Sequence, residues 1–307
     1  MDFGRRVVTG PAGIVSDGSA PLTVDVPGGV GVTELLWLGG PVATVEDAYE
    51  RSAPGFPLEP PPGGASARII RLPASDDWLA VEGDDPSAPG LHATDTLDFV
   101  VVLDGEIVLG LGDGTETVVR AGDVVVQRGA RHRWRVAGDR PCTYLAAMLR
   151  PNPAADAPPA LTVTPGAGLR RVVTAGDGFV DTTTSVGLAA GGTVLSDVWH
   201  TGGPLTSVTQ GGDPAGGWTL DLPPGGASFR CVEMPPGPRS DAGWHQTPTV
   251  DVDVVLSGRL GLDLPGGVTV ELGPGDAVLQ RGTDHRWFVI GDEPVRFVAV
   301  MLGTATA

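Results

Sequence analysis

Two stretches of the chain decide its fold because they repeat one another: DVVVQRGARHRW at residues 123–134 and DAVLQRGTDHRW at residues 276–287. Working outward from them, residues 92–149 align without a gap on residues 245–302, and 27 of the 58 aligned pairs are identical. A repeat of this length is too long for a solenoid, so the chain is predicted to hold two like domains in tandem.

The domain boundaries follow from the extent of the repeat. The motif PPGGAS at residues 61–66 returns at residues 223–228, so the similarity covers whole units. The proline-rich stretch PNPAADAPPA, residues 151–160, is predicted to be an extended linker. Residues 1–150 then form the N-terminal unit and residues 161–307 the C-terminal unit. Fused like domains commonly pack about a pseudo-two-fold axis, so we expect an intramolecular pseudo-dimer, with further oligomerisation left open.

The composition favours β-structure and argues against several functions. Glycine (47) and proline (29) are abundant and valines occur in short runs, which is typical of short strands joined by tight turns. All 20 basic residues are arginine, which excludes a lysine Schiff base. The net charge of -17 argues against nucleic acid and anionic membrane surfaces as partners. No signal peptide or membrane span is recognisable, so we expect a soluble cytoplasmic protein.

The strand and turn patterns of the two units agree. LDFVVVLDGEIVLGL, residues 97–111, is predicted to form a hairpin with Asp104 and Gly105 in its turn. Further short strands follow up to the end of each unit, and such an antiparallel series is typical of a sandwich or barrel. One short helix is predicted at residues 41–55, without a counterpart in the second unit.

Polar residues interrupt apolar strands at the same places in both copies. They are His92, Thr94, Asp98 and His132 in the first copy, and His245, Thr247, Asp251 and His285 in the second. If the chain reverses between the first histidine and the aspartate, three strand ends bring two imidazoles and a carboxylate to one point. Such a set leaves open positions on non-haem iron, and it also suits manganese, zinc or nickel. We therefore predict two metal sites, held by His92, Asp98 and His132, and by His245, Asp251 and His285.

Strand alternation predicts the surroundings of each site. Counting from Asp98 and His132, the side chains of Val100, Val102 and Trp134 point inward, so the first cavity should be apolar with an aromatic wall. Asp253 replaces Val100 in the second copy, which should make that cavity more polar. The predicted substrate-contacting residues are Thr94, Val100, Val102, Gln127 and Trp134, and in the second copy Thr247, Asp253, Gln280 and Trp287. No catalytic residue is assigned beyond the metal sites.

The spacing of these residues resembles a known family. The pattern His-x-Thr-x3-Asp-x6-Gly at residues 92–105 and 245–258, followed by Gly-Asp-x3-Gln-Arg-Gly-x2-His at residues 122–132 and 275–285, is similar to the two motifs of the cupins. The whole chain resembles a bicupin built from two units of the cupin_2 type. The resemblance implies an all-β fold of two tandem cupin barrels, also called double-stranded β-helices or jelly rolls, related by pseudo-two-fold symmetry.

The chain departs from the usual cupin motif at two positions of each unit. Cupins usually have a second histidine where Thr94 and Thr247 stand, and a glutamate where Asp98 and Asp251 stand. Each site therefore offers three protein ligands instead of four. Because threonine is a poor ligand, the two threonines are predicted to orient a ligand or to hydrogen-bond the substrate.

Together with the resemblance, the residues lead to three hypotheses about function. The first is an enzyme that uses Fe(II) and O2, a dioxygenase-like oxidoreductase of secondary metabolism that acts on a small, largely apolar or aromatic metabolite. The second is a non-oxidative decarboxylase, isomerase or lyase with manganese, zinc or nickel as the Lewis acid. The third is a bicupin that binds a small ligand without catalysis. The ligand set fits iron without demanding it, and the resemblance favours Fe(II), but the sequence identifies neither the metal nor the substrate.

Overall fold

A computed structural model shows an all-β protein. It describes residues 4–18, 22–26, 28–42, 44–45, 57–75, 87–153, 166, 168–176, 178–214 and 219–305. These residues form 22 β-strands, with short 3-10 turns at Ala190–Gly192, Asp241–Gly243 and Pro265–Gly267. The helix predicted at residues 41–55 and the linker predicted at residues 151–160 lie mostly outside the described residues. No helix in the described part of the chain has the length and apolar character needed to cross a membrane.

The strands of the first repeat correspond in order to those of the second. The first repeat contains β1 (Arg6–Gly10), β2 (Gly13–Asp17), β3 (Leu22–Val26), β4 (Val30–Leu38), β5 (Ala65–Leu72), β6 (Leu97–Asp104), β7 (Glu106–Leu111), β8 (Glu116–Arg120), β9 (Val124–Arg128), β10 (His132–Val136) and β11 (Cys142–Leu149). The second contains β12 (Arg170–Ala175), β13 (Gly178–Thr183), β14 (Ser185–Leu188), β15 (Val194–His200), β16 (Ala227–Met234), β17 (Thr249–Ser257), β18 (Leu260–Leu264), β19 (Val268–Leu272), β20 (Ala277–Arg281), β21 (Arg286–Val289) and β22 (Val295–Gly303).

Each half of the molecule consists of one eight-stranded and one three-stranded sheet. The large sheets have the orders β3-β4-β5-β11-β6-β9-β12-β13 and β14-β15-β16-β22-β17-β20-β1-β2. The small sheets have the orders β10-β7-β8 and β21-β18-β19. Both halves therefore have the same topology. Each is an open jelly-roll sandwich of two sheets and not a closed barrel.

The first hairpin of each repeat lies in the large sheet of the other repeat. Strand β1 pairs in parallel with β20, with Val7 opposite Val278. Strand β12 pairs in parallel with β9, with Val172 opposite Val125. The two sequence units therefore exchange their N-terminal hairpins, and each large sheet contains strands from both units.

The two large sheets pack against each other through a shared apolar core. The rings of Phe99 and Phe229, one from each sheet, stack with their centroids 5.2 Å apart. Because side chains alternate along a strand, Phe99 and Val101 face this central core, whereas Asp98 and Val100 face the small sheet of their own half. The side chains that could do chemistry are thus directed away from the contact between the halves.

The arginine of the repeated Gln-Arg-Gly motif joins the two halves. Arg128 donates a hydrogen bond to the carbonyl of Thr209 in the second repeat. Arg281 donates from Nε to the carbonyl of Val45 in the first repeat, at 3.1 Å. These reciprocal bonds place the motif at the contact between the units as well as beside each site.

Candidate functional site

Each half brings its two predicted histidines into contact. The amides of His92 and His132 each donate to the carbonyl of the other residue, at 2.9 and 2.8 Å, and the ring centroids lie 4.5 Å apart. His245 and His285 are joined by the same two bonds, both 2.9 Å, with ring centroids 4.3 Å apart. His92 and His245 lie on isolated bridges and not at strand ends. The backbone itself therefore holds each imidazole pair together.

The hydrogen bonds of the imidazoles leave one nitrogen of each ring available. Each Nδ1 lies within hydrogen-bond distance of a carbonyl two residues earlier in the chain, at Gly90 (3.0 Å), Ala130 (2.9 Å), Gly243 (2.9 Å) and Thr283 (2.7 Å). A carbonyl can only accept, so Nδ1 carries the proton and Nε2 keeps its lone pair. Burial, reinforced by the neighbouring imidazole, lowers the pKa of His132 and His285 to about 3. The two buried rings are therefore neutral at physiological pH, which is the form that binds a metal ion.

The two aspartates line the same cavities as the histidines without completing a ligand set. Asp98 accepts a long hydrogen bond from Thr94, at 3.4 Å, and the Oδ1 atoms of Asp98 and Asp251 are buried without a partner among the described residues. In the described part of the chain, no three His, Cys, Asp or Glu side chains lie close enough together to hold a metal ion. The imidazole lone pairs and the unpartnered carboxylate oxygen suit a divalent cation, but only the imidazole pair of each predicted set is assembled.

The first cavity has a volume of about 210 Å³ and is mostly apolar. Its wall includes Thr94, Val100, Gln127 and Trp134, as predicted from the sequence. Trp134 packs edge-on against His132, with ring centroids 6.0 Å apart. Val102, which was predicted to contact the substrate, is not among the residues that line this cavity. Val102 lies two residues further along β6, where it is buried in the core between the large and small sheets.

The second cavity is larger, about 350 Å³, and contains more charge. Its wall includes Thr247, Asp253 and Trp287. Burial, with a further contribution from Asp251, raises the pKa of Asp253 well above its usual value. Gln280 does not line this cavity, contrary to expectation, because its Oε1 accepts a hydrogen bond from Thr9 of the exchanged strand β1.

The sequence analysis missed an arginine in each cavity. Arg68 of β5 and Arg230 of β16 are buried in the cavity walls. Each stands opposite an acid on the next strand, Glu34 on β4 and Asp197 on β15. The signal was present in the repeat, because PPGGAS is followed in both copies by one variable residue and then by arginine.

The buried aspartates are expected to lower the stability of metal-free protein as the pH rises from about 4 to about 7, against an opposite contribution from the buried histidines. Burial raises the pKa of Asp98 and of Asp251 to about 7. Over this range these carboxyls keep protons in the folded protein that the unfolded chain releases, so their contribution to the free energy of unfolding falls. The lowered pKa of His132 and His285 acts in the opposite direction, because the unfolded imidazoles release protons over the same range. Each carboxyl contributes up to about 4 kcal/mol across the range. Thermal unfolding between pH 4 and pH 9 in the presence of a chelator measures the effect.

A variant with both aspartates replaced serves as the comparison for this pH series. In Asp98→Asn/Asp251→Asn the two titrating carboxyls are gone and the histidines remain, so between pH of about 4 and about 7 the free energy of unfolding should fall less, or rise more, than in the unmodified chain. Equal pH dependence of the two proteins would contradict the prediction.

The fold and the site together define a class of protein: two similar two-sheet β-units in tandem, each with a pair of imidazoles of which one is buried. The profile of the cupin domain family matches residues 79–148 and residues 230–301. One such match falls in each repeat, so each repeat contains a domain of the cupin family.

Individual relatives match parts of the chain. The phomopsin biosynthesis cluster protein C′ of Diaporthe leptostromiformis is 39% identical over 88 residues, which cover 29% of this chain and 39% of that protein. The cupin-domain-containing oxidoreductase srdB of Neurospora crassa is 37% identical over 71 residues, 22% of this chain and 36% of that protein. The matched segments thus span less than two fifths of these relatives. Among solved structures, AerE from Microcystis aeruginosa is similar with a TM-score of 0.49 and 10% identity, covering 92% of this chain and 97% of that one.

Proposed function

We propose that the protein is a metal-dependent oxidoreductase that acts on a small, largely apolar or aromatic metabolite, with Fe(II) as the favoured ion and a dioxygenase-like reaction. The observation that carries the proposal is the imidazole pair of each half, which lines a cavity walled by tryptophan with the Nε2 atoms of the buried rings free to bind a metal ion. The names of two relatives, an oxidoreductase and a biosynthesis cluster protein, support an oxidative role in secondary metabolism.

In the first half, His92 and His132 would hold the ion, and Asp98 is the further donor that the same cavity wall supplies. A bound iron(II) ion would supply redox chemistry with O2 at its open coordination positions. In the second half, His245, His285 and Asp251 have the corresponding roles.

The remaining wall residues bind and orient the substrate. Val100 and Trp134 offer apolar contacts beside the histidines, so an apolar ring in this cavity is held next to the imidazole pair while water is excluded. Thr94 donates to Asp98 and accepts from Thr96, at 2.8 Å, so it orients the carboxyl. The walls of the first cavity are therefore suited to a small molecule that has no charged group.

Metal analysis tests the proposal directly. Protein purified without added metal is expected to contain one equivalent of a divalent metal ion per half, measured by inductively coupled plasma mass spectrometry. His92→Ala and His245→Ala should each remove the ion of one half, and the double variant should lose both, because a single imidazole and a carboxylate bind far more weakly. His200→Gln is the matched control, since His200 lies outside both cavities.

The outcomes of this experiment separate the competing functions. Metal retained by the double variant, or absent from the unmodified protein, would contradict the proposal. Iron with oxygen uptake in the presence of an aromatic metabolite supports the oxidative reaction. Manganese, zinc or nickel without oxygen uptake would replace it by a non-oxidative one.

A further inference from the structure

The two cavity arginines are bound by their surroundings in different ways. In the first half, Arg68 donates from Nε and Nη2 to Oε2 of Glu34, at 3.1 and 3.0 Å. Its Nη1 and Nη2 also donate to the carbonyls of Leu58 and Pro57, both at 2.7 Å. All three nitrogens of this guanidinium are therefore engaged by the protein, so the described wall of the first cavity offers no free cation to a ligand.

Arg230 in the second half lacks most of these bonds. Its Nη2 donates to the carbonyl of Thr219 at 3.0 Å and lies 3.3 Å from Oδ1 of Asp197. Its Nε and Nη1 are buried and have no hydrogen-bond partner in the described part of the chain, although the residue is only 2% exposed. Asp197 is one methylene shorter than Glu34, so its carboxylate does not reach both nitrogens. Buried N–H groups without an acceptor are costly, and a ligand with an acceptor would satisfy them.

A carboxyl group faces Arg230 across the floor of the cavity. Asp253, Ala299 and Arg230 stand opposite one another on the neighbouring strands β17, β22 and β16. Residues that are directly opposite in antiparallel strands share a face, and two strand spacings separate the outer Cα atoms by about 10 Å. The ion pair of Arg230 is with Asp197 and not with Asp253. A guanidinium and a carboxyl therefore flank a small alanine, with room between them.

In the first half, the three corresponding residues include an arginine but no acid. There Val100, Ala146 and Arg68 stand opposite one another, and Arg68 is already paired with Glu34. The difference between the two rows, together with the larger second cavity, indicates that the halves recognise different molecules.

We propose that the second cavity binds a small amino acid-like molecule. Its carboxylate accepts from the unpartnered N–H groups of Arg230, its amino group lies at Asp253, and its apolar part packs against Trp287 and Phe297, whose rings are 5.5 Å apart. The inference deepens the proposed function, on which it rests for treating this cavity as a substrate site, by naming the ligand class of one half.

Binding of three related probes to the full chain tests the ligand class. They are L-phenylalanine, with both groups, 3-phenylpropionate, with the carboxylate only, and phenethylamine, with the amine only. Isothermal titration calorimetry is expected to show the tightest binding for L-phenylalanine, and roughly tenfold to hundredfold weaker binding for each of the others. The measurement is made on protein as purified and again after chelation, so that coordination to metal does not contribute.

Two variants convert the second cavity to the arrangement of the first. In Asp197→Glu the longer carboxylate should accept hydrogen bonds from Arg230 as Glu34 does from Arg68. The variant should therefore lose the binding affinity that the probe's carboxylate contributes. Asp253→Val should remove the binding affinity that the probe's amino group contributes, so that L-phenylalanine and 3-phenylpropionate bind with equal affinity. Val180→Ala, at an exposed position outside both cavities, is the control and should leave the binding of all three probes unchanged. Arg230→Gln is a second test of carboxylate binding, and thermal unfolding establishes that each variant is folded.

Equal affinity for the three probes, no binding of any of them at millimolar concentration, or unchanged L-phenylalanine binding in Asp197→Glu and Arg230→Gln would overturn the inference. Failure of the proposed function is distinguishable, because metal content and oxygen uptake are measured separately. After treatment with a chelator, the His245→Ala variant should still bind L-phenylalanine more tightly than either of the two other probes.

Discussion

Separate chains of residues 1–150 and 161–307 are expected not to fold alone but to form a stable complex when they are produced together. In the intact protein β12 pairs with β9 and β1 pairs with β20, so each large sheet depends on a hairpin from the other unit. A lone unit would lose that hairpin and expose the apolar face that packs on the other large sheet. Circular dichroism and size-exclusion chromatography of the single and co-expressed chains measure the outcome.

A protease site placed in residues 151–160 gives the matched control for this experiment. The cut chain keeps every strand pairing, so it should remain associated and unfold close to the temperature of the uncut protein. Cooperative unfolding of residues 1–150 as an isolated monomer would contradict the prediction, and would mean that strand exchange is dispensable for the first unit.

The sequence predicted the class of the fold and the face of the strand that lines the cavity. Internal similarity located both units, and simple alternation placed Asp98 and Val100 on one face of β6. The same rule places Val102 on this face, in one core cluster with Val100, but alternation does not give the depth at which the cavity ends. Strand periodicity therefore predicts the face of the sheet on which a side chain lies better than it predicts whether that side chain borders the cavity.

The exchange of hairpins could not be predicted from the repeat. Strands β1 and β12 both contain Arg-Val-Val-Thr, and their partners β20 and β9 are also copies of one another. Either hairpin is thus compatible with either sheet, and local sequence cannot choose between them. The choice is made by the long-range packing of the two large sheets, which no local pattern contains.

The details of the site depend on lengths of side chains that a motif does not specify. The backbone bridge between His92 and His132 fixes the imidazole pair, whereas the carboxylate beside it is an aspartate, one methylene shorter than the glutamate of the cupin motif. Glu34 and Asp197 differ by the same methylene. The arginine opposite Glu34 is fully hydrogen-bonded, whereas the arginine opposite Asp197 has nitrogens without a partner among the described residues. Residue type and spacing therefore predicted side chains that line the two cavities, and the geometry of each half decides what it can bind.

Replacing Arg171 by methionine is expected to lower the free energy of unfolding by about 3–5 kcal/mol. Arg171 lies on the exchanged strand β12 and is fully buried. Its Nη1 donates to Asp213 Oδ1 at 2.6 Å and to the carbonyl of Val198 at 2.8 Å. Removing the guanidinium leaves a buried carboxylate without its cation. The resulting loss of stability is larger than the difference in stability between the intact ion pair and a pair of apolar residues. Urea unfolding followed by tryptophan fluorescence measures the loss.

Two further variants decide whether the uncompensated charge is the cause. Arg171→Met/Asp213→Leu removes both charges and should recover much of the lost stability, whereas a purely structural role for the arginine would make the double variant no better than the single one. Arg120→Met is the control for an exposed pair, because Arg120 and Glu106 are 59% and 47% exposed and 3.3 Å apart. That substitution should cost about 1 kcal/mol or less. An equally small loss for Arg171→Met would show that the buried pair does not hold the exchanged hairpin in place.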